Sequence, residues 1–357
     1  MNSEEDQAII VGVQCYPVLE DLGGPENDAR AFEDWVRSRR GGNVPRKNVE
    51  LIVTSQFRPP FRSVDLARPT AERVHQAFKK LQNIADANAA RGLSRRVGRR
   101  LYIYMAGHGF APRDDQTALL MANATKMRLG PGYHILGQYN ADWFFKAGYF
   151  DEIVLFMDCC RELCAVPALD MPYGEIIAID RVERQRLYGF GTKWSRLSRE
   201  RPIAGGAVRG VFTEVLLEGL WGAACEPNSG GQITADSLRN YLLDEKIWQS
   251  FLAPEDRDDP EVPKHPDVPN LGTNFLLVTI NPPPLYPVII HLNPGALGKH
   301  VDVLYGKDDF HLVDTVIAKN LEWRLLLERG TYLAEIPTDR LRTPIVVNGR
   351  GEIHVSL

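Results

Sequence analysis

A thiol and an imidazole in this chain have the setting that acyl transfer requires. The run Ile153-Val154-Leu155-Phe156-Met157 is strand-like and apolar, and it ends in Asp158-Cys159-Cys160-Arg161-Glu162. Upstream, Leu101-Tyr102-Ile103-Tyr104-Met105-Ala106 ends in Gly107-His108-Gly109, about 50 residues before the cysteines. A thiol with a pKa near 8.5 is mostly protonated at neutral pH, so it needs an adjacent base to become a nucleophile. His108 can take that proton and later return it to a leaving amine. Alternate residues of a strand share a face, so Asp158 and Cys160 point one way while Cys159 joins Met157 and Leu155. With the polar side toward a cleft, Cys160 is the reactive thiol. Both cysteines could instead be plain core residues, but the Gly-His-Gly partner tells against that. Zinc held by Cys159, Cys160 and Cys164 is disfavoured, because adjacent cysteines aim apart and no second cluster exists.

These side chains need a scaffold whose strands end together. The first two-thirds of the chain alternates short apolar runs with helical patterns, the signature of a βαβ sheet. Ala8–Val13, Val49–Val53, Leu101–Met105 and Ile153–Met157 read as buried strands. Glu26–Arg39 carries Ala29, Phe32 and Val36 at helical spacing. Thr70 is a candidate N-cap for a helix burying Val74, Ala77, Phe78 and Leu81. Asn140 is placed to cap a short helix through Ala147. Residues 165–206 hold prolines, glycines and many basic residues, including Arg181, Arg184, Arg186, Lys193, Arg196, Arg199 and Arg201, and read as a long functional loop. Helices are expected again at Val211–Leu220 and Thr234–Trp248, and a closing strand at Asn274–Ile280. Asn281-Pro282-Pro283-Pro284 is the clearest boundary, since three prolines make a stiff spacer. Beyond it, Val288–Leu292, Val301–Leu304, Arg324–Leu327, Tyr332–Ile336 and Ile353–Leu357 read as strands of a small β-sandwich. The domains expected are therefore 1–280 and 281–357.

Composition bounds the function. The chain has 357 residues, is 44% hydrophobic and 25% charged, and carries a net charge of −4. It offers a polyanion no global attraction. Arg91, Arg95, Arg96, Arg99 and Arg100 lack interleaved aromatics and read as a solvated charged face rather than a nucleic-acid site. Five cysteines, two of them adjacent, make a poor disulfide framework and fit a reducing compartment. With an acidic, polar N-terminus and no apolar stretch of membrane-spanning length, the expectation is a cytoplasmic protein without membrane or nucleic-acid partners. Gly189-Phe190-Gly191-Thr192-Lys193 lacks the full P-loop spacing. The acidic run Glu255-Asp256-Arg257-Asp258-Asp259 has no defensible calcium-coordination spacing.

The chain resembles the caspase-like cysteine peptidases (clan CD), and most closely their metacaspase and bacterial branch, where Asp-x-Cys replaces the Gln-Ala-Cys of animal caspases. The histidine-to-cysteine spacing and a catalytic Cys followed by Arg are known features of caspases. The resemblance covers about residues 8 to 280 and rests on Asn27-Asp28, Gly107-His108-Gly109, Asp158-Cys159-Cys160-Arg161 and Gly210-Val211-Phe212-Thr213. Glu162 departs from it, since metacaspases usually have Ser or Gly there. The resemblance implies an α/β fold of the caspase-hemoglobinase kind, a mostly parallel sheet flanked by helices. A large-subunit-like part would span 1–164 and a small-subunit-like part 207–280, with the loop between them a site of maturation by cleavage. It implies Cys160 as nucleophile, His108 as base then acid, and the N–H groups of Gly109 and Cys160 as oxyanion hole. Asn27-Asp28 alone reads as helix capping; the resemblance implies that Asp28 joins Asp158 in the pocket for the residue before the scissile bond. Two carboxylates there favour Arg or Lys over Asp. The implied partners are protein substrates and an activating protease or regulator, in regulated cell death or antiphage signalling. No cofactor is expected, although some metacaspases need Ca²⁺. The alternative from another class is a catalytically inactive caspase-like scaffold that binds a partner.

Overall fold

Strands covered on both faces are continuously apolar, as the buried runs Ala8–Val11 and Leu101–Ala106 are, and three strands open the fold. They are β1 (Gln7–Gly12), β2 (Val49–Val53) and β3 (Gly98–Ala106), with α1 (Pro25–Arg37) joining β1 to β2 and α2 (Ala71–Ala90) joining β2 to β3. A short antiparallel sheet follows, β4 (Gly109–Arg113), β5 (Gln116–Leu120) and β6 (His134–Leu136), and then α3 (Gly137–Ala147). The chain returns along β3 as β7 (Phe150–Asp158), and β8 (Gln185–Phe190) lies beside β7. The central sheet runs β2-β1-β3-β7-β8, and every neighbouring pair is parallel.

The computed structural model describes residues 3–113, 116–163, 169, 171–173, 183–192, 200–203, 205–227, 229–259, 262–263, 265–306 and 310–357. Side-chain alternation distributes the helices. Phe32 of α1 stacks on Tyr104 at 4.7 Å, and Trp35 meets Tyr102 edge-on at 5.7 Å. Ile103, Met105, Leu155 and Met157 point to the opposite face, into a core with Val74 and Phe78 of α2 and Phe144 of α3. The result is a parallel sheet with helices on both sides.

β8 corrects the reading of 165–206 as one irregular loop. Leu187, Tyr188 and Phe190 are buried, and Asp142 accepts hydrogen bonds from Tyr188 and Arg186, both at 2.8 Å. That carboxylate lets a basic segment pair in a core sheet. Cys164, Arg181, Lys193, Arg196 and Arg199 lie outside the described residues. Asn140 is not a cap: α3 starts at Gly137, and the Asn140 amide donates to Leu136 O at 2.7 Å. The arginine stretch is also not uniformly solvated. Arg99 and Arg100 belong to β3, and Arg100 is fully buried, paired with Glu152 at 2.5 Å and Tyr102 at 2.7 Å.

After β8 comes a hairpin of β9 (Glu200–Pro202) and β10 (Val208–Gly210), which runs directly into α4 (Val211–Glu218). β11 (Gln232–Thr234) precedes two helices, α5 (Ala235–Leu242) and α6 (Glu245–Phe251), where one continuous helix was expected. Asp244 makes the break, its carboxylate accepting the N–H groups of Lys246 and Ile247 at 2.9 and 3.2 Å. Contacts divide the chain into two units, Met1–Leu217 with Leu242–Phe275, and Glu218–Tyr241 with Leu276–Leu357. The second unit thus takes in residues 218–241 as well as the stretch beyond the proline run.

Within the second unit, β12 (Leu276–Thr279) pairs with β11. Among the described residues seven strands follow: β13 (Tyr286–His291), β14 (His300–Tyr305), β15 (His311–Ile317), β16 (Glu322–Leu327), β17 (Gly330–Ile336), β18 (Leu341–Val347) and β19 (Ile353–Ser356). They form sheets β16-β13-β19 and β15-β14-β17-β18, which share a core of Val288, Ile290, Val301, Val303, Ala334, Ile336, Ile345 and Val347. β15 and β18 were not anticipated. Among the described residues, no helix is long and apolar enough to cross a membrane.

Candidate active site

The central strands β3 and β7 leave the sheet together. Ala106 is in register with Asp158, and the Gly107 N–H donates to Asp158 O at 3.2 Å. Two residues beyond each strand end stand His108 and Cys160. In open parallel sheets the crevice outside the carboxyl ends of the strands is where ligands bind. Here it is a pocket of about 270 Å³ lined by His108, Cys160, Asp28 and Asp158, with Glu20, Leu22, Pro25, Gly107, Glu200 and Gly210 around them. The four side chains singled out in the sequence therefore meet in one place.

His108 is oriented from the first loop. Its Nε2 lies 2.8 Å from the Glu20 carbonyl oxygen. A carbonyl only accepts, so Nε2 carries the proton and the lone pair of the neutral ring is at Nδ1. The His108 backbone N–H donates to Tyr16 Oη at 3.1 Å, and the two rings lie 4.8 Å apart. Tyr16 Oη in turn lies 3.2 Å from Val13 O and from Leu120 O. The loop that presents Glu20 is itself fixed, with the Tyr16 N–H donating to Asp21 Oδ1 at 2.7 Å and Leu22 N–H to Gln14 O at 2.9 Å. Gly107 has φ +149°, and a Cβ there would come within 2.8 Å of Tyr16 Oη, so only glycine lets the chain turn against this phenol. Glu20 and Tyr16 were missed by sequence reasoning. Glu20 contributes a backbone carbonyl, which leaves no trace in residue type.

The two cysteines have different surroundings. Cys159 is buried in the apolar core, and burial pushes its thiol well above the ordinary range. Cys160 is half-buried and faces the pocket. Gly109 packs so closely that a Cβ would lie 2.7 Å from both Cys159 Sγ and Cys160 O. On the far side Arg161 anchors the turn. It is buried, donates to Asp267 Oδ2 at 2.5 Å and Thr192 O at 3.1 Å, and lies 4.4 Å over the Phe190 ring. The nucleophile candidate is thus held between a glycine strand and a clamped guanidinium.

The acids are both nearly inaccessible, Asp28 at 2% and Asp158 at 5% exposure. Asp158 Oδ2 accepts the Thr213 hydroxyl at 2.7 Å and its N–H at 3.2 Å, in the first turn of α4, where unpaired N–H groups favour an anion. Gly210 belongs to the same motif because a Cβ there would overlap Asp158 Oδ2. Asp28 Oδ2 accepts the Gly210 N–H at 2.9 Å. Burial first, and the neighbouring Asp158 charge second, push the Asp28 carboxyl well above the usual carboxylate range, against the Gly210 N–H and Arg209. Asn27 ties the helix start to the hairpin, its amide donating to Gly23 O at 3.2 Å and Val208 O at 2.9 Å. Glu200 also lines the pocket, missed in the sequence, and its carboxylate accepts the N–H groups of Gly23 and Gly24 at 3.0 and 3.1 Å.

No family model matches the chain. A curated protein from a Desulfuromonadales bacterium, named "Probable protease", is 19% identical over 318 residues, which cover 85% of this chain and 37% of the relative. The chain therefore spans little more than a third of that relative's length. The crystal structure of caspase-1 from Spodoptera frugiperda matches with a TM-score of 0.42 and 12% identity, over 75% of this chain and 87% of that one.

Proposed function

We propose that the protein is a caspase-like cysteine endopeptidase of the metacaspase branch that cleaves after Arg or Lys. The observation that carries this reading is the shared pocket of Cys160 and His108 at adjacent strand ends, with the His108 Nε2–H committed to the Glu20 carbonyl. Nδ1 is then the base that removes the Cys160 proton. The thiolate attacks the scissile carbonyl carbon, and the oxyanion formed is held by the N–H groups of Gly109 and Cys160. The intermediate collapses, the amine leaves with the proton from His108, and water, activated by the same imidazole, hydrolyses the thioester. The basic residue before the scissile bond would sit against Asp28 and Asp158. Proteolysis agrees with the name of the Desulfuromonadales relative.

In this reading the enzyme is cytoplasmic, needs no cofactor, acts on protein substrates and serves a bacterial cell-death or antiphage pathway. Maturation by a cut within 165–206 belongs to the same proposal. Residues 164–168, 170, 174–182, 193–199 and 204 lie outside the described residues, and a cut would fall outside the buried strand β8. Intact-mass analysis before and after activation tests it, and sustained activity of an uncut chain removes it. Hydrolysis of matched fluorogenic peptides ending in Arg, Lys, Asp or Ala tests the specificity. Faster turnover of the Asp peptide than of the Arg peptide contradicts the acid-pocket assignment.

A further inference from the structure

One contact in the acid pocket is incomplete on both sides. Asp28 Oδ1 is buried without a hydrogen bond, and so is the Nε of Arg209, 3.5 Å away. The pair attracts by charge but lacks the short geometry, about 2.7 to 2.9 Å, of a charge-assisted hydrogen bond. The other arginine of the same hairpin is held differently. Arg201, opposite Arg209 in register, is bidentate to Glu214 at 2.6 and 2.7 Å. One guanidinium is committed, and the other is loosely held beside a pocket.

We propose that Arg209 is an internal competitor that occupies the Asp28 carboxylate an incoming basic side chain must take over, and so sets how strongly the pocket selects Arg or Lys. The inference rests on the basic-residue specificity proposed above. Asp28 is faced by Asp158 at the end of β7, Glu200 from β9, Arg209 and the Gly210 N–H from β10, and the Tyr104 phenol from β3. Among these described groups, Arg209 is the cation. Its partial exposure, 22%, leaves room to yield to solvent when a substrate guanidinium arrives. That guanidinium presents a planar fork and can complete at Oδ1 the bond that Arg209 Nε does not make.

The test uses the full chain and Arg209→Met, with Arg209→Lys as the charge-preserving control. At a pH above the acidic limb of both proteins, the Met variant should lower KM for an Arg peptide about fivefold, the size expected when a partly exposed charge is removed, with kcat moving less. Losing the cation also makes Asp28 harder to ionise, so the acidic limb of kcat/KM should move to higher pH. Arg209→Lys should keep the wild-type limb. If Arg209→Met fails to fold, Arg209→Gln carries the same expectation. A folded variant with unchanged or higher KM and an unmoved limb overturns the proposal. Agmatine binding, measured by calorimetry in the Cys160→Ala background, separates this inference from the peptidase reading. Tighter agmatine binding to Arg209→Met without any wild-type peptide turnover would sink the peptidase and leave the competitor. Equal agmatine affinity sinks the competitor whatever the turnover.

Discussion

The two units treat polar side chains in opposite ways. In the parallel-sheet unit, residues from four distant stretches converge where β3 and β7 end, and two carboxyls there are almost sealed from water. In the second unit, β17 alternates polar residues outward. Thr331 is exposed between the buried Gly330 and Tyr332 of β17. His291 and His354 stack at 5.2 Å, with ring nitrogens 2.9 Å apart, on an exposed face beside Glu322 and Glu352. The difference follows from topology. Parallel strands deliver all their carboxyl ends to one edge, whereas antiparallel sheets spread polar groups along solvated faces. Desolvation can retune acids and bases only at the first kind of place.

Breaking the first unit's site should have the largest effects. Cys160→Ala should abolish peptide cleavage with little change in unfolding midpoint, and Cys159→Ala should retain most activity; the reverse outcome would overturn the facing of the two thiols. His108→Ala should lose about 10² to 10⁴ in kcat, the range of acid–base catalysis. Asp158→Asn should lower kcat/KM for Arg peptides about tenfold to a hundredfold, from one lost charge-assisted contact, while an Ala peptide changes little. Asp28 supplies the pH dependence. Its raised pKa means that it ionises only above the ordinary carboxylate range, so Arg-peptide kcat/KM should fall as pH drops through that raised value. An Ala peptide should not share the limb, and Asp28→Asn should remove it. The smallest effect belongs to the other unit: His291→Ala, at a half-buried site, and His354→Ala, at an exposed one, should shift stability by no more than about 0.5 kcal/mol and leave cleavage unchanged.

Much of the site was legible because its side chains carry strong signals. Gly-His-Gly and Asp-Cys-Cys sit after apolar runs whose burial is nearly complete in β3 and β7. What was not legible acts through the backbone or through tertiary partners. The Glu20 carbonyl that selects the His108 tautomer could be any residue's. Glu200 and Arg209 gain meaning only because the hairpin of β9 and β10 folds against residues 23–28. β8 was hidden by Arg184, Arg186 and two glycines, whose fit depends on Asp142 and on Phe156, against which a Cβ at Gly189 would lie at 3.0 Å. β15 escaped because six of its seven residues are exposed, so no period-2 burial exists to be read.

The central claim is that Cys160, activated by His108, attacks the carbonyl following a basic residue. It is tested most directly by treating the protein with a peptidyl acyloxymethyl ketone ending in Arg and mapping the adduct by peptide mass spectrometry. The account predicts one adduct, on Cys160, strongly slowed by His108→Ala and far slower with the matched Asp probe. An adduct on Cys159, or Cys160 labelling that is indifferent to His108 and faster with the Asp probe, would contradict it.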